Sequence, residues 1–159
     1  MDLHRNNIRV AEVAAHEGVT IAVRRFPEGT RTADDAAAAI GCEVGAIVKS
    51  IVLMADDGPL LVLTSGANRA DYGKVGAALG VGGVRRASAE QAREATGYAI
   101  GGTPPWGHAT ALPTLCDHDL LGYQEVWAAA GTPDSVFAVT PADLLRISGA
   151  TAADVAALP

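Results

Sequence analysis

The stretch Ala46-Ile47-Val48-Lys49-Ser50-Ile51-Val52-Leu53-Met54 is the most apolar in the chain, and a lysine sits near its middle. β-Branched residues dominate it and Asp56-Asp57-Gly58-Pro59 close it, so it reads as a strand ended by a turn. A second apolar run, Leu60 to Thr64, follows at once, and two strands about so short a turn make a hairpin. The hairpin constrains the fold more than any other feature, because it demands a sheet with an antiparallel component. Alternation puts Lys49 on one face with Ile47, Ile51 and Leu53, and Val48, Ser50, Val52 and Met54 on the other. Both faces are apolar, so the strand is expected to be central and covered on both sides.

An ammonium in that setting is expensive unless something compensates it. Two readings stay open from the local pattern. Lys49 could blunt an edge strand or snorkel from a half-buried face. Alternatively, it meets a ligand carrying negative or carbonyl oxygen.

Composition narrows the classes. The 159 residues fit one domain, expected to span 1–159. Aromatic residues are 4% of the chain against 49% hydrophobic, so the core must be Ala, Val, Leu and Ile. No apolar run is long enough for a membrane span, and Met1-Asp2-Leu3-His4-Arg5 lacks a signal-peptide layout, so the expected location is cytoplasmic. A formal charge of −6 argues against duplex-DNA binding, which needs a basic face. Local basic groups remain, at Arg24 and Arg25, Arg31, Arg69 with Lys74, and Arg85 with Arg86; each is either a solvated surface or part of a small nucleic-acid contact. Cys42 and Cys116 form no zinc-type or redox pair and read as free thiols.

The remaining pattern predicts a helix over residues 3–16, a strand over 19–24, and a helix capped by Thr32 and stopped by Gly41. After the hairpin come a helix over 71–79, a short strand or loop at 82–86, and a helix over 89–95 capped by Ser88. A strand at 136–139 and a helix opened by Pro141 end the chain. The fold class is α+β: a mixed sheet, partly antiparallel, flanked by helices.

Gly101-Gly102-Thr103-Pro104-Pro105-Trp106-Gly107 is the second informative segment. Glycines let a backbone approach a ligand and expose N–H groups, and two prolines stiffen the loop. Such a loop either holds a carbonyl or oxyanion without reorganising, or is a tight structural turn. It is neither a dinucleotide fingerprint nor a phosphate loop.

Taken in order, Thr30-Arg31-Thr32, Gly41, Val48-Lys49-Ser50, Asn68-Arg69-Ala70-Asp71-Tyr72-Gly73-Lys74, Ala78-Leu79-Gly80, Thr96-Gly97-Tyr98, the Gly101 loop and Leu112-Pro113-Thr114-Leu115-Cys116-Asp117 make a specific set. The chain resembles the YbaK and prolyl-tRNA-synthetase-associated editing domain family over about residues 20 to 150. The resemblance implies hydrolysis of the ester between a wrong amino acid and a tRNA, usually a proline tRNA, in trans. It matches the family lysine to Lys49 and the family's G-x-x-x-P loop to Gly101–Pro105, with Gly101 and Gly102 supplying amides. Ser50, Thr32, Thr103, Pro105 and His108 are the implied substrate-binding positions. The implied partners are the tRNA acceptor end and prolyl-tRNA synthetase; monomer and homodimer both stay open. No cofactor or metal is implied. The cysteine-specific branch carries aromatic residues where this chain aligns Val23 and Thr32, and Ser and Asp where it aligns Ala129 and Val136. These departures point to a pocket that suits a small residue such as alanine or a close analogue, and leave the choice among Ala, Cys, Ser and other small residues open.

No Ser-His-Asp or Cys-His arrangement emerges, so the expected route is substrate-assisted, with a ribose hydroxyl, a water or the amino acid itself as the attacking or assisting group. Two rivals stand beside it. One is a metal-dependent hydrolase using His108, Cys116, Asp117, His118 and Asp119, whose spacing fits no standard zinc pattern. The other is a binding module that keeps the fold without the activity.

Overall fold

The computed structural model describes residues 3–27 and 32–159, so Thr30 and Arg31 of the motif set lie outside the described residues. In chain order the elements are α1 (Arg5–His16), β1 (Arg24–Arg25), α2 (Ala33–Ile40), β2 (Ile47–Ala55), β3 (Gly58–Ser65), α3 (Tyr72–Leu79), β4 (Arg85–Arg86), α4 (Ala89–Thr96), β5 (Thr114–Asp117), β6 (Val126–Ala129), β7 (Ser135–Val139), α5 (Pro141–Ser148) and β8 (Thr151–Ala153). The strands form one mixed sheet in the order β1-β7-β6-β2-β3-β5-β8, with β4 also on β2. β2 and β3 are the expected antiparallel hairpin, in register from Val48 opposite Ser65 to Ala55 opposite Gly58. β2 is central, and β6 runs parallel to it on the other side.

The two apolar faces of β2 serve different cores. Val48 and Val52 join Leu61, Leu63, Trp106, Phe137 and Leu144 on one side. Leu53 and Ala55 join Leu60, Val62, Val75, Leu115 and Val155 on the other. Ile47 packs on Ala36 and Ala37 of α2. Fully buried leucines and Phe137 supply most of the driving force, at about 1.5–3 kcal/mol each.

The expected strand over 19–24 pairs only at Arg24–Arg25, with β7. Val19, Ile21 and Val23 pack against the core as unladdered extended chain. Alternation there reports burial of every second side chain, which an unpaired segment achieves equally well. β5, β6 and β8 are only three or four residues long, too short for a periodic pattern to reveal.

The sheet has a gap along one edge of β2. β6 bonds to β2 at Ile47 and Val48, and β4 at Leu53 and Met54. Between them, Lys49 to Val52 have no strand beside them on that edge. Gly66 N–H donates to the Ile47 carbonyl on the β3 side, at 2.7 Å. Alternation then turns the main-chain groups of Ser50 away from β3 and into the gap.

Candidate active site

The gap is the floor of a cavity of about 430 Å³. β2 contributes Ile47, Val48, Lys49 and Ser50; the start of α2 contributes Thr32, Ala33, Asp34 and Ala36. Gly101 and Thr103 come from the loop, and Trp127, Ala128, Ala129 and Val136 from β6 and β7. Five of the sequence-expected residues, Lys49, Ser50, Thr32, Gly101 and Thr103, thus meet on one cavity although they lie up to 71 positions apart in the chain. Ala129 and Val136, expected to shape specificity, line it too.

Lys49 is half-buried, and its Nζ donates to the backbone carbonyl of Asn68 at 3.0 Å. Burial holds its pKa below the usual lysine value; the Arg69 guanidinium adds to this, and Asp34 opposes it. The Asn68 carbonyl is itself held in place. Asn68 Nδ2 donates to Asp117 Oδ2 at 2.9 Å and to Asp119 Oδ2 at 2.8 Å. Asp117 is fully buried and also accepts from Ser65 N at 3.1 Å and from Asp119 N at 3.0 Å. Asp117 therefore anchors Asn68, and Asn68 aims the lysine. Asn68 and Asp117 stand in the motif set, yet the sequence pattern gave Asn68 no role and Asp117 only that of a metal ligand in the rival hydrolase; an aspartate ending an apolar run was the available signal.

Ser50 Oγ is buried and has no hydrogen-bond partner among the described residues. A buried hydroxyl left unpaired costs about 1–3 kcal/mol, so it is a group that a ligand can satisfy. Gly101 has φ +91°, a conformation that suits glycine, and its N–H donates to no protein group among the described residues. Thr32 Oγ1 accepts from Asp35 N at 3.0 Å, capping α2 beside the cavity.

Three expected residues sit elsewhere. The Gly102 N–H is spent within the loop, on the Ala99 carbonyl at 3.0 Å, so only Gly101 of the pair offers a free amide. A Cβ on Gly102 would lie 2.8 Å from the Thr132 carbonyl carbon, so this glycine serves close packing. Pro105 is buried and does not line the cavity. His108 turns away from it: Nε2 lies 2.7 Å from the Pro104 carbonyl, and the ring meets Tyr98 edge-on. Burial lowers its pKa, favouring a neutral ring whose Nε2–H donates to that carbonyl. With Trp106 Nε1 donating to the Val10 carbonyl and Tyr98 Oη to the Gly107 carbonyl, His108 braces the loop.

The thiols and the acidic cluster are poorly suited to the chemistry. Burial pushes the Cys116 thiol up to about 12, and Cys42 is raised as well. Asp117, His118 and Asp119 can each bring one ligand atom within 4.8 Å of the others, but both carboxylates already receive the Asn68 amide. His108 and Cys116 are not in that group.

A family profile described as the aminoacyl-tRNA editing domain matches residues 27–147. Proline–tRNA ligase of Acidithiobacillus ferrooxidans is 31% identical over 106 residues, which are 67% of this chain and 19% of the ligase. The chain therefore spans under a fifth of the length of that ligase. YwhH of Bacillus subtilis, itself uncharacterised, is 30% identical over 79% of this chain and 80% of its own length. A crystal structure provisionally assigned as a trans-editing enzyme for prolyl tRNA synthetase is 47% identical, with a TM-score of 0.92 over 99% of this chain and 100% of that one.

Proposed function

The chain belongs to the aminoacyl-tRNA editing domain family, and on that premise we propose that it hydrolyses, in trans, the ester joining a small non-cognate amino acid to the 3′ end of proline tRNA. One observation carries this reading: the Lys49 ammonium and the free Gly101 amide line the same cavity, across a break in the sheet. The similarity to proline–tRNA ligase and to the trans-editing structure supports the choice of tRNA.

An aminoacyl ester is already activated, so the protein's task is to position it and stabilise the developing charge. A water or the neighbouring ribose hydroxyl attacks the carbonyl carbon. As that bond forms, the carbonyl oxygen gains negative charge, and the Gly101 N–H and Lys49 Nζ are the donors that meet it. The carbon–oxygen ester bond then breaks, and the departing ribose oxygen takes up a proton. Where water attacks, the products are the free amino acid and the tRNA 3′ end. Where the ribose attacks, water completes the second step. Cys116, raised to about 12 and buried, takes no part as nucleophile. Ala33, Ala36, Ala128, Ala129 and Val136 give the cavity short apolar walls that suit a small side chain. Each methylene that a wall rejects is worth about 1–3 kcal/mol of discrimination.

The test is deacylation of proline tRNA charged separately with Ala, Cys, Ser and Pro, run beside Lys49→Ala. Turnover of at least one non-cognate ester, lost in the variant, is expected. Binding without turnover of any of them would make the protein a binding module instead.

A further inference from the structure

A second cavity of about 260 Å³ adjoins the first along the same open edge of β2. Ser50, Gly101 and Thr103 line both cavities and so form the wall between them. On the far side of that wall are Ile51, Val52, Ala87 and Ala92, with Tyr72, Arg86 and Ile100 completing the lining. Tyr72 and Ile100 are 38% and 60% exposed, which puts two of the few exposed large apolar side chains at one small hollow. Arg86 is exposed and makes no ion pair among the described residues, whereas its neighbour Arg85 is paired with Asp56.

We infer that this second cavity is a nucleoside site that takes the terminal adenosine of the charged tRNA, an assignment that rests on the editing reading above. The chemistry of its walls fits that ligand. A phenol ring and an aliphatic side chain offer faces for a purine, and base–aromatic stacking is a standard means of holding unpaired nucleotides. The unpaired Arg86 guanidinium suits the phosphate 5′ to that base. The order of the two hollows fits too. In an aminoacyl-adenosine the ester lies between the amino acid and the base. Here the wall between the two cavities carries the free Gly101 amide and the unpartnered Ser50 hydroxyl. The amino acid would lie on the Lys49 side and the base on the Tyr72 side.

The experiment measures steady-state deacylation of minihelices charged with Ala, Cys or Ser by wild type, Tyr72→Ala, Ile100→Ser and the surface control Leu121→Ala, an exposed residue that lines neither cavity. AMP and CMP serve as competitors, with circular dichroism as a check on folding. Tyr72→Ala should raise KM about tenfold, near the lower end of what one stacked base contributes, while kcat changes less than twofold. Ile100→Ser should raise KM in the same direction, and Leu121→Ala should leave it unchanged. AMP should compete better with wild type than CMP, and lose that advantage in Tyr72→Ala. Unchanged KM in folded Tyr72→Ala and Ile100→Ser would overturn the site while leaving the editing reading intact. AMP binding at Tyr72 without any effect on minihelix KM would make the hollow a free-nucleotide site and equally overturn the assignment. If wild type deacylates no minihelix, the editing reading falls, and the assignment to a tRNA end falls with it.

Discussion

Asn68 offers the sharpest test of how the lysine is held, because its near-isosteric replacement should do more harm than its truncation. Its side-chain amide donates to two carboxylates, Asp117 at 2.9 Å and Asp119 at 2.8 Å. The bond to Asp119 is solvent-exposed and contributes little, whereas the bond to buried Asp117 is charge-assisted. Asn68→Ala should therefore cost about 2 kcal/mol. For a chain of this length that lowers Tm by about 4–8 °C. Asn68→Asp loses the same bonds and sets a third carboxylate against the other two. One such repulsion at about 4 Å is worth about 4 kcal/mol at an effective dielectric of 20, before proton uptake or relaxation reduces it. Thermal unfolding by circular dichroism should rank wild type above Asn68→Ala, and Asn68→Ala above Asn68→Asp. Deacylation should follow the same order, because Lys49 loses a fixed carbonyl at 3.0 Å as the 65–68 turn loosens; we expect kcat to fall about tenfold in Asn68→Ala. Asn68→Asp as stable and as active as Asn68→Ala would refute the idea that a donor between two carboxylates positions the lysine.

Lys49→Met should raise stability at neutral pH while abolishing activity. Burial and Arg69 hold the folded-state pKa of Lys49 below the unfolded value, so between those values the unfolded chain binds more protons and wild-type stability rises with pH. Below that window the cost of the charged form is present in full; the variant should unfold at higher temperature there and lack the alkaline rise, and a lower Tm at pH 7 would contradict this. Gly102→Ala forces a Cβ to within 2.8 Å of the Thr132 backbone. It should cost about 1–3 kcal/mol by overpacking and lower kcat by shifting the Gly101 amide; wild-type kcat with an unchanged Tm would show that the contact is relaxed at no cost. Iodoacetamide should leave Cys116 unmodified in the native protein, since its thiol is buried and raised to about 12, and label it once urea unfolds the chain; rapid native labelling read by mass spectrometry would contradict that burial.

Much of this site was legible from local pattern. The β2–β3 hairpin showed in two apolar runs around Asp57-Gly58-Pro59, and Lys49 showed as a charge where none belonged. The Gly101 loop showed through its glycines and prolines, though pattern could not tell which amide stays free. That depends on the Ala99 carbonyl, which captures Gly102 and leaves Gly101. The resemblance offers His108 as a substrate-binding position, yet its Nε2 serves the Pro104 carbonyl. The bond from Asn68 to Asp117 joins residues 49 positions apart, and no periodicity reports such a pairing. The gap beside Ser50 arises from where the short strands β4 and β6 stop, which is a property of packing rather than of any one segment.

In the proposed mechanism Lys49 and the Gly101 amide act together on an aminoacyl ester held in the gap of the sheet. The most direct measurement is single-turnover deacylation of misacylated proline tRNA by wild type, Lys49→Ala and Lys49→Arg, each confirmed as folded by circular dichroism. A rate loss of about a hundredfold or more is expected in Lys49→Ala, the scale for removing a donor to a developing oxyanion, with partial recovery in Lys49→Arg. Wild-type rates in a folded Lys49→Ala protein would contradict that mechanism.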